Sequence, residues 1–213
     1  MRRTVPQRLT LTALFAVVAL VTLLIPSPLF AVGPDWEIDG GHSEVSFSIR
    51  HFLTPVPGRF NRFDGNITFD PEHLDQAKVE ITVQAASIDT NNAERDRHLR
   101  SPDFFDVAKY PTLHFESRKF TANGDALEVT GDLTLHGVTQ EITVPVEFLG
   151  TLTAAQGSKA GFATEFTINR KDFGIRWNRT LDQGGAVLGE DVKIRINIEA
   201  NQRRDVAEKV RGE

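Results

Sequence analysis

Between Thr90 and Pro111 the chain reads TNNAERDRHLRSPDFFDVAKYP, and its Arg95, Arg97, His98 and Arg100 are residue types that can grip an anionic head group such as a pyrophosphate. The same charges admit a second reading, in which Arg95, Arg97 and Arg100 pair with Glu94, Asp96, Asp103 and Asp106. With Lys109 the stretch holds four positive and four negative side chains, so it creates no strong anion-attracting field. If a head group is held here, Arg95 and Arg100 are its contacts. His51 ends an apolar face and can hydrogen-bond a buried partner or a ligand head. His114 and Glu116, two apart, share one face of a strand and could set two metal ligands side by side, but no third ligand is evident and no metal site is expected. General acid-base catalysis needs groups within hydrogen-bond reach of one another and of substrate. Spacing reveals no such set, so no residue is assigned as catalytic.

The elements that must position these residues are strands. Period-two alternation, the mark of a strand with one buried and one wet face, recurs along the chain. EVSFSIRHF puts Val45, Phe47, Ile49 and His51 on one side; KVEITVQA does the same with Val79, Ile81 and Val83. The pattern returns in Leu113 and Phe115, in Leu127 to Leu135, in Ile142 to Phe148, in Phe162 to Ile168 and in Val192 to Ile198. With Arg59 to Phe69 as one strand, this makes eight, plus a short one at Trp36 to Ile38. His136-Gly137 falls where a two-residue hairpin loop belongs. The links are short, and every strand has one apolar face, so the expectation is an all-β fold: an eight-stranded antiparallel sheet closed into a barrel, with a two-layer sandwich as the alternative. Pro145 removes a ladder donor and predicts a bulge or an opened seam. Gly131, on the apolar face, is read as leaving room inside.

The charged stretch then becomes a helical crossover closing one end of the barrel. Asn91 with Glu94 has capping-box spacing and predicts a helix through Leu99; Ser101, Pro102 and Asp103 predict a second start. Phe104 and Phe105 supply its inward face. A barrel of eight strands is wide enough to be plugged by its own side chains or to hold one small ligand. The expected lining is Phe47, Ile49, His51, Phe60, Phe63, Ile81, Val83, Leu113, Phe115, Leu133, Leu135, Val144 and Phe166, with Phe104 and Phe105 from the crossover and Phe173 and Trp177 from RKDFGIRW. Such a surface suits an apolar ligand. Gly184-Gly185 marks a loop that is either a gate or a plain connector.

The first 31 residues differ in composition. Arg2, Arg3 and Arg8 precede the apolar run LTLTALFAVVALVTLLI and then PSPLFA, the order of a secretory signal, with a cut after Ala31 or, since the run is near spanning length, an uncleaved anchor. Its removal takes three basic residues and no acid, moving the formal charge from −5 to −8, with 21 basic against 29 acidic side chains. So acidic a chain, with no basic stripe, is not expected to bind nucleic acid. The absence of Cys excludes disulfides and thiolate metal sites. A barrel domain over residues 35–200 and a solvated tail over 201–213 complete the expected organisation.

WEIDGGHSEVSFSIRH, GRFNRFDGNITFD, SIDTNNAERDRHLRSPDFFDVAKYPTLHFES, VTGDLTLHGVTQEI and INRKDFGI, in that order from Trp36 to Ala200, closely resemble the YceI-like family of exported bacterial proteins. The resemblance implies a lipocalin-like barrel that holds a long isoprenoid, quinone or similar amphiphilic lipid, usually in the periplasm, as carrier, reservoir or scavenger, without cofactor and without enzyme activity. A transient contact with a membrane or membrane protein would accompany that role. The alternatives are an enzyme acting on an amphiphilic substrate and an accessory protein of a membrane partner that holds no ligand.

Overall fold

Alternating apolar residues force this chain into strands, and the strands satisfy one another's backbone groups around a ring. The computed structural model describes residues 33–124, 126–155, 157–179 and 186–203. The N-terminal stretch expected as a signal, the Gly184-Gly185 loop and the last ten residues lie outside the described residues.

Eleven strands are present: β1 (Asp35–Ile38), β2 (Glu44–His51), β3 (Thr54–Phe60), β4 (Phe63–Thr68), β5 (Lys78–Gln84), β6 (Ile88–Asp89), β7 (Thr112–Asn123), β8 (Ala126–Leu135), β9 (Val138–Ala154), β10 (Gly157–Asn169) and β11 (Leu188–Gln202). All their pairings are antiparallel. They form eight staves, because three staves are each broken once. β1 and β2 run consecutively along β11, at Ile38↔Ala200 and then Glu44↔Asn197. β3 and β4 run along β2 and β1, and β5 and β6 along β4 and β3. β7, β8, β9, β10 and β11 follow in order, and β11 returns to β1 and β2 to close the barrel.

The stretch Arg59 to Phe69, expected as one strand, is therefore a bent stave with its corner at Asn61 and Arg62. Long-range bonds make that corner: Asn61 N–H donates to the Ser87 carbonyl, Gln84 N–H donates to the Arg62 carbonyl, and Arg62 N–H donates to Ser87 Oγ. β11 continues through Gln202, two residues past the expected end of the barrel domain, since Trp36 is there to pair with it.

Pro145 does what its missing donor predicts. β9 and β10 pair from the hairpin as far as Glu147↔Ala163, where the ladder stops. Beyond it Thr164 Oγ1 donates to the Pro145 carbonyl at 2.6 Å, a side chain standing in for a strand neighbour. The seam between residues 138–146 and 164–169 is thus parted, and a 3₁₀ turn at Arg170–Phe173 spans its far end, where Gln140 Nε2 donates to the Asp172 carbonyl. His136 (φ 52°) and Gly137 (φ 74°) form the expected tight hairpin, whose two positive φ values match the twist of β8 and β9.

Three packed clusters stack along the barrel. One, around Trp36, Phe69 and Phe162, fills the end near β1; the second, around Val45, Phe60 and Ile88, lies at the broken staves. The third, of Phe104, Leu135, Phe173 and Ile175, seals the end covered by the crossover.

Candidate functional site

Inside the barrel lies one cavity of about 230 Å³. The inward residues of the strands line it: Phe47, Ile49, Phe60, Ile81, Val83, Leu113, Phe115, Leu133, Leu135, Val144 and Phe166 all stand where alternation puts them. Phe104 and Phe105 line it from the crossover, together with Leu99. Phe105 meets Phe60 edge-on with ring centroids 5.7 Å apart, which fixes the crossover to the second stave.

Four expected liners are not in the cavity wall. His51 is exposed, because the last residues of β2 and the hairpin beyond them project past the barrel end; Phe52 is half exposed there and Leu53 is 94% exposed. Alternation continues through His51 in sequence, but no opposing layer reaches it. Phe63 sits at the corner of the bent stave and packs between the first two clusters. Phe173, 2% exposed, is a plug under the crossover. Trp177 closes over it from outside, packing on Phe104 at 5.1 Å and on His98 at 4.9 Å. Gly131 leaves no room either: a Cβ there would lie 2.4 Å from the Glu116 carbonyl oxygen and 2.6 Å from the Phe115 ring, so the ring already occupies the space a side chain would take.

The crossover holds one helix, α1 (Ala93–Leu99). Its cap is Asn92, one residue later than expected, whose side chain accepts from Arg95 N–H at 3.0 Å. Asn91 instead takes a left-handed φ of 58° with its N–H on Asp89. No second helix starts at Ser101. Its hydroxyl donates to the His98 carbonyl and accepts a long bond from Asp103 N–H, but successive turns rather than a helix carry the chain to Tyr110.

Neither reading of the crossover's arginines survives in full. Arg95 donates through Nε to Thr90 Oγ1 and through Nη2 to the Thr90 carbonyl. Arg100 donates through Nε to the Ala86 carbonyl and through Nη2 to that of Ile88. Both guanidinium groups satisfy backbone acceptors of the incoming chain, and neither lines the cavity. Asp96, 7% exposed, accepts from Thr90 N–H at 2.9 Å and from its hydroxyl at 2.5 Å. The carboxylate thus ties α1 to the end of β6. Asp96→Ala leaves the buried Thr90 donors unmatched and is expected to cost about 1–3 kcal/mol. Urea unfolding checks this, and an unchanged midpoint would show that the tie is dispensable.

His114 shares a hydrogen bond with Thr82 Oγ1 and lies 3.8 Å from Glu80, without a third ligand. Among the described residues the one group of three potential metal-ligand atoms close enough together is Asp39, His42 and Glu199, and Lys159 already bridges both of its carboxylates. The hydrogen bond from His42, aided by those of Gly41 and Asn201, outweighs burial and holds the Asp39 carboxyl down to about 2. These charges pin the break between β1 and β2.

Arg170 went unnoticed in the sequence. It lies in INRKDFGI, yet no pattern of spacing marks it as inward, because it falls at the first residue of the 3₁₀ turn where strand alternation ends. It lines the cavity and is 3% exposed. Nε donates to the Gly189 carbonyl at 2.9 Å and Nη1 to the Ile175 carbonyl at 2.8 Å. Burial pushes its pKa down, against an opposing pull from Glu190.

Residues 36–200 match the family model described as the YceI-like domain. A UPF0312 protein of Pseudomonas paraeruginosa is 42% identical over 188 residues, which cover 84% of this chain and 95% of that protein. The crystal structure of BcnA from Burkholderia cenocepacia superposes with a TM-score of 0.69 at 26% identity, covering 77% of this chain and 99% of that one. A polyisoprenoid binding domain from Saccharophagus degradans shares the fold, with a TM-score of 0.59 at 14% identity over 79% of this chain and 98% of that one. An eight-stave antiparallel barrel with a capped end and an apolar interior, carrying this domain over nearly all its described length, belongs to the YceI-like family.

Proposed function

We propose that the protein is exported and holds the chain of one long apolar or amphiphilic lipid, of isoprenoid or quinone type, inside its barrel, as a carrier, reservoir or scavenger in the cell envelope. The observation that carries this reading is the cavity: its wall is chiefly Val, Ile, Leu and Phe from staves all round the ring and from the crossover, a surface that favours hydrocarbon over water. The basic and then apolar N-terminal sequence supports export. The Saccharophagus degradans domain of the same fold is described as binding polyisoprenoid, which agrees with the choice of ligand class.

On this reading the tail supplies affinity. Each buried methylene contributes about 0.8 kcal/mol, so affinity is expected to rise roughly fourfold per added methylene until the cavity is full. Native mass spectrometry with lipid extraction, followed by titration of isoprenoids and fatty acyl chains of increasing length, tests it. Protein that carries no extractable lipid and shows no dependence on chain length would make the barrel a plugged structural module.

A further inference from the structure

We infer that Arg170 anchors the head of the bound lipid, and that this head presents an acceptor oxygen bearing full or partial negative charge. The inference rests on the lipid-binding reading and adds to it the orientation of the ligand and the chemistry of its head. Arg170 is the only Lys, Arg, Asp or Glu in the described wall of the cavity. Two of its nitrogens are fixed on the Gly189 and Ile175 carbonyls, which hold the guanidinium plane in place. The third, Nη2, is buried without a hydrogen-bond partner, the one such side-chain atom among the described residues. Native interiors seldom leave a charged donor unmatched, since its lost hydration is not returned. The nearby carboxylate of Glu190 is engaged by Lys171. The only hydrogen-bond partners of this cation are two carbonyls, and an oxygen of a ligand would supply the partner that Nη2 lacks.

The position also sets direction. Arg170 lies at the end of the cavity sealed by Phe104, Ile175 and Leu188, whereas Ile67, Phe162 and Ile198 line the opposite end without a charge. The head is placed under the crossover and the tail runs toward β1. Arg95 and Arg100, outside the cavity wall, take no part.

The test uses the full chain and a set of C20 isoprenoids matched in carbon skeleton: phytane, phytol and phytanic acid. Wild-type protein is expected to bind the acid about tenfold or more tightly than the hydrocarbon, with the alcohol between them. Arg170→Met is expected to reduce that preference to within twofold. Should the variant not fold, wild-type protein decides the matter through its 15N-labelled guanidinium signals: the Arg170 Nη resonances are expected to shift with the acid and to stay in place with phytane. Equal affinities for the three ligands with unmoved Arg170 resonances would overturn the inference and leave the lipid-binding reading intact. Binding of none of the three would overturn both.

Discussion

Replacing Ile194 with tryptophan is expected to reduce ligand affinity by about a hundredfold or more while the barrel remains folded. Ile194 lies midway along β11, between Phe166 on one side and Phe47 on the other, and its half-buried side chain faces the cavity. An indole there takes up space that a hydrocarbon tail would otherwise fill. Excluding four or five methylenes at about 0.8 kcal/mol each removes about 3–4 kcal/mol, which is two to three orders of magnitude in the dissociation constant. Stability is expected to change little, since the ring enters a void; in a filled core, overpacking would cost about 1–3 kcal/mol. Ligand titration beside near-UV circular dichroism and thermal unfolding separates the two effects. Wild-type affinity in a folded variant would mean that the tail lies elsewhere.

Phe173→Ala is expected to do the opposite, lowering stability by about 3–5 kcal/mol, the usual cost of emptying a buried aromatic site. Phe173 is among the largest fully buried side chains and packs with Phe104, Leu135 and Ile175, while its carbonyl accepts from His136 Nδ1 at 3.2 Å. It therefore joins the β8–β9 hairpin, the 3₁₀ turn and the crossover at one point. In a domain of this size the loss corresponds to about 6–20 °C in melting temperature. Phe166→Ala, in a half-buried liner, is expected to cost less stability and more affinity. Calorimetry and denaturant unfolding of the pair check the contrast, and a loss below about 1 kcal/mol for Phe173→Ala would show that the three elements hold together without the ring.

What the sequence reveals here is whatever depends on the nearest neighbours. Alternation in KVEITVQA or DVKIRINIEA places Ile81 and Ile194 correctly because a strand with one apolar face has one way to bury it. Pro145 foretells the parted seam because the missing donor belongs to the residue itself. The hairpin at His136-Gly137 is equally local. The errors share a different origin. His51 continues the alternation but outruns the layer that would bury it. Gly131 leaves room in the sequence pattern, but the Phe115 ring from the neighbouring strand lies over it. The corner at Asn61 and Arg62 exists because Ser87, far along the chain, bonds both sides of it. Asn91 and Asn92 are chemically the same cap, and only the bond from Asn91 N–H to Asp89 selects between them. Arg170 has no local signature at all: its burial is created by the carbonyls of Gly189 and Ile175 and by strands on both sides.

β11, the last strand among the described residues, joins the two ends of the sequence, with β10 on one edge and β1 with β2 on the other. Every other stave can find its partner soon after it is made, but the first must wait, since Trp36 pairs with Gln202. Without the strand that starts at Leu188 the ring would be an open sheet with two unpaired edges and an uncovered apolar face. Ring closure across nearly the whole chain carries the largest loop entropy in the fold and gains nothing until the final strand docks. A chain stopped short of Leu188 loses more than one strand: it has no inside.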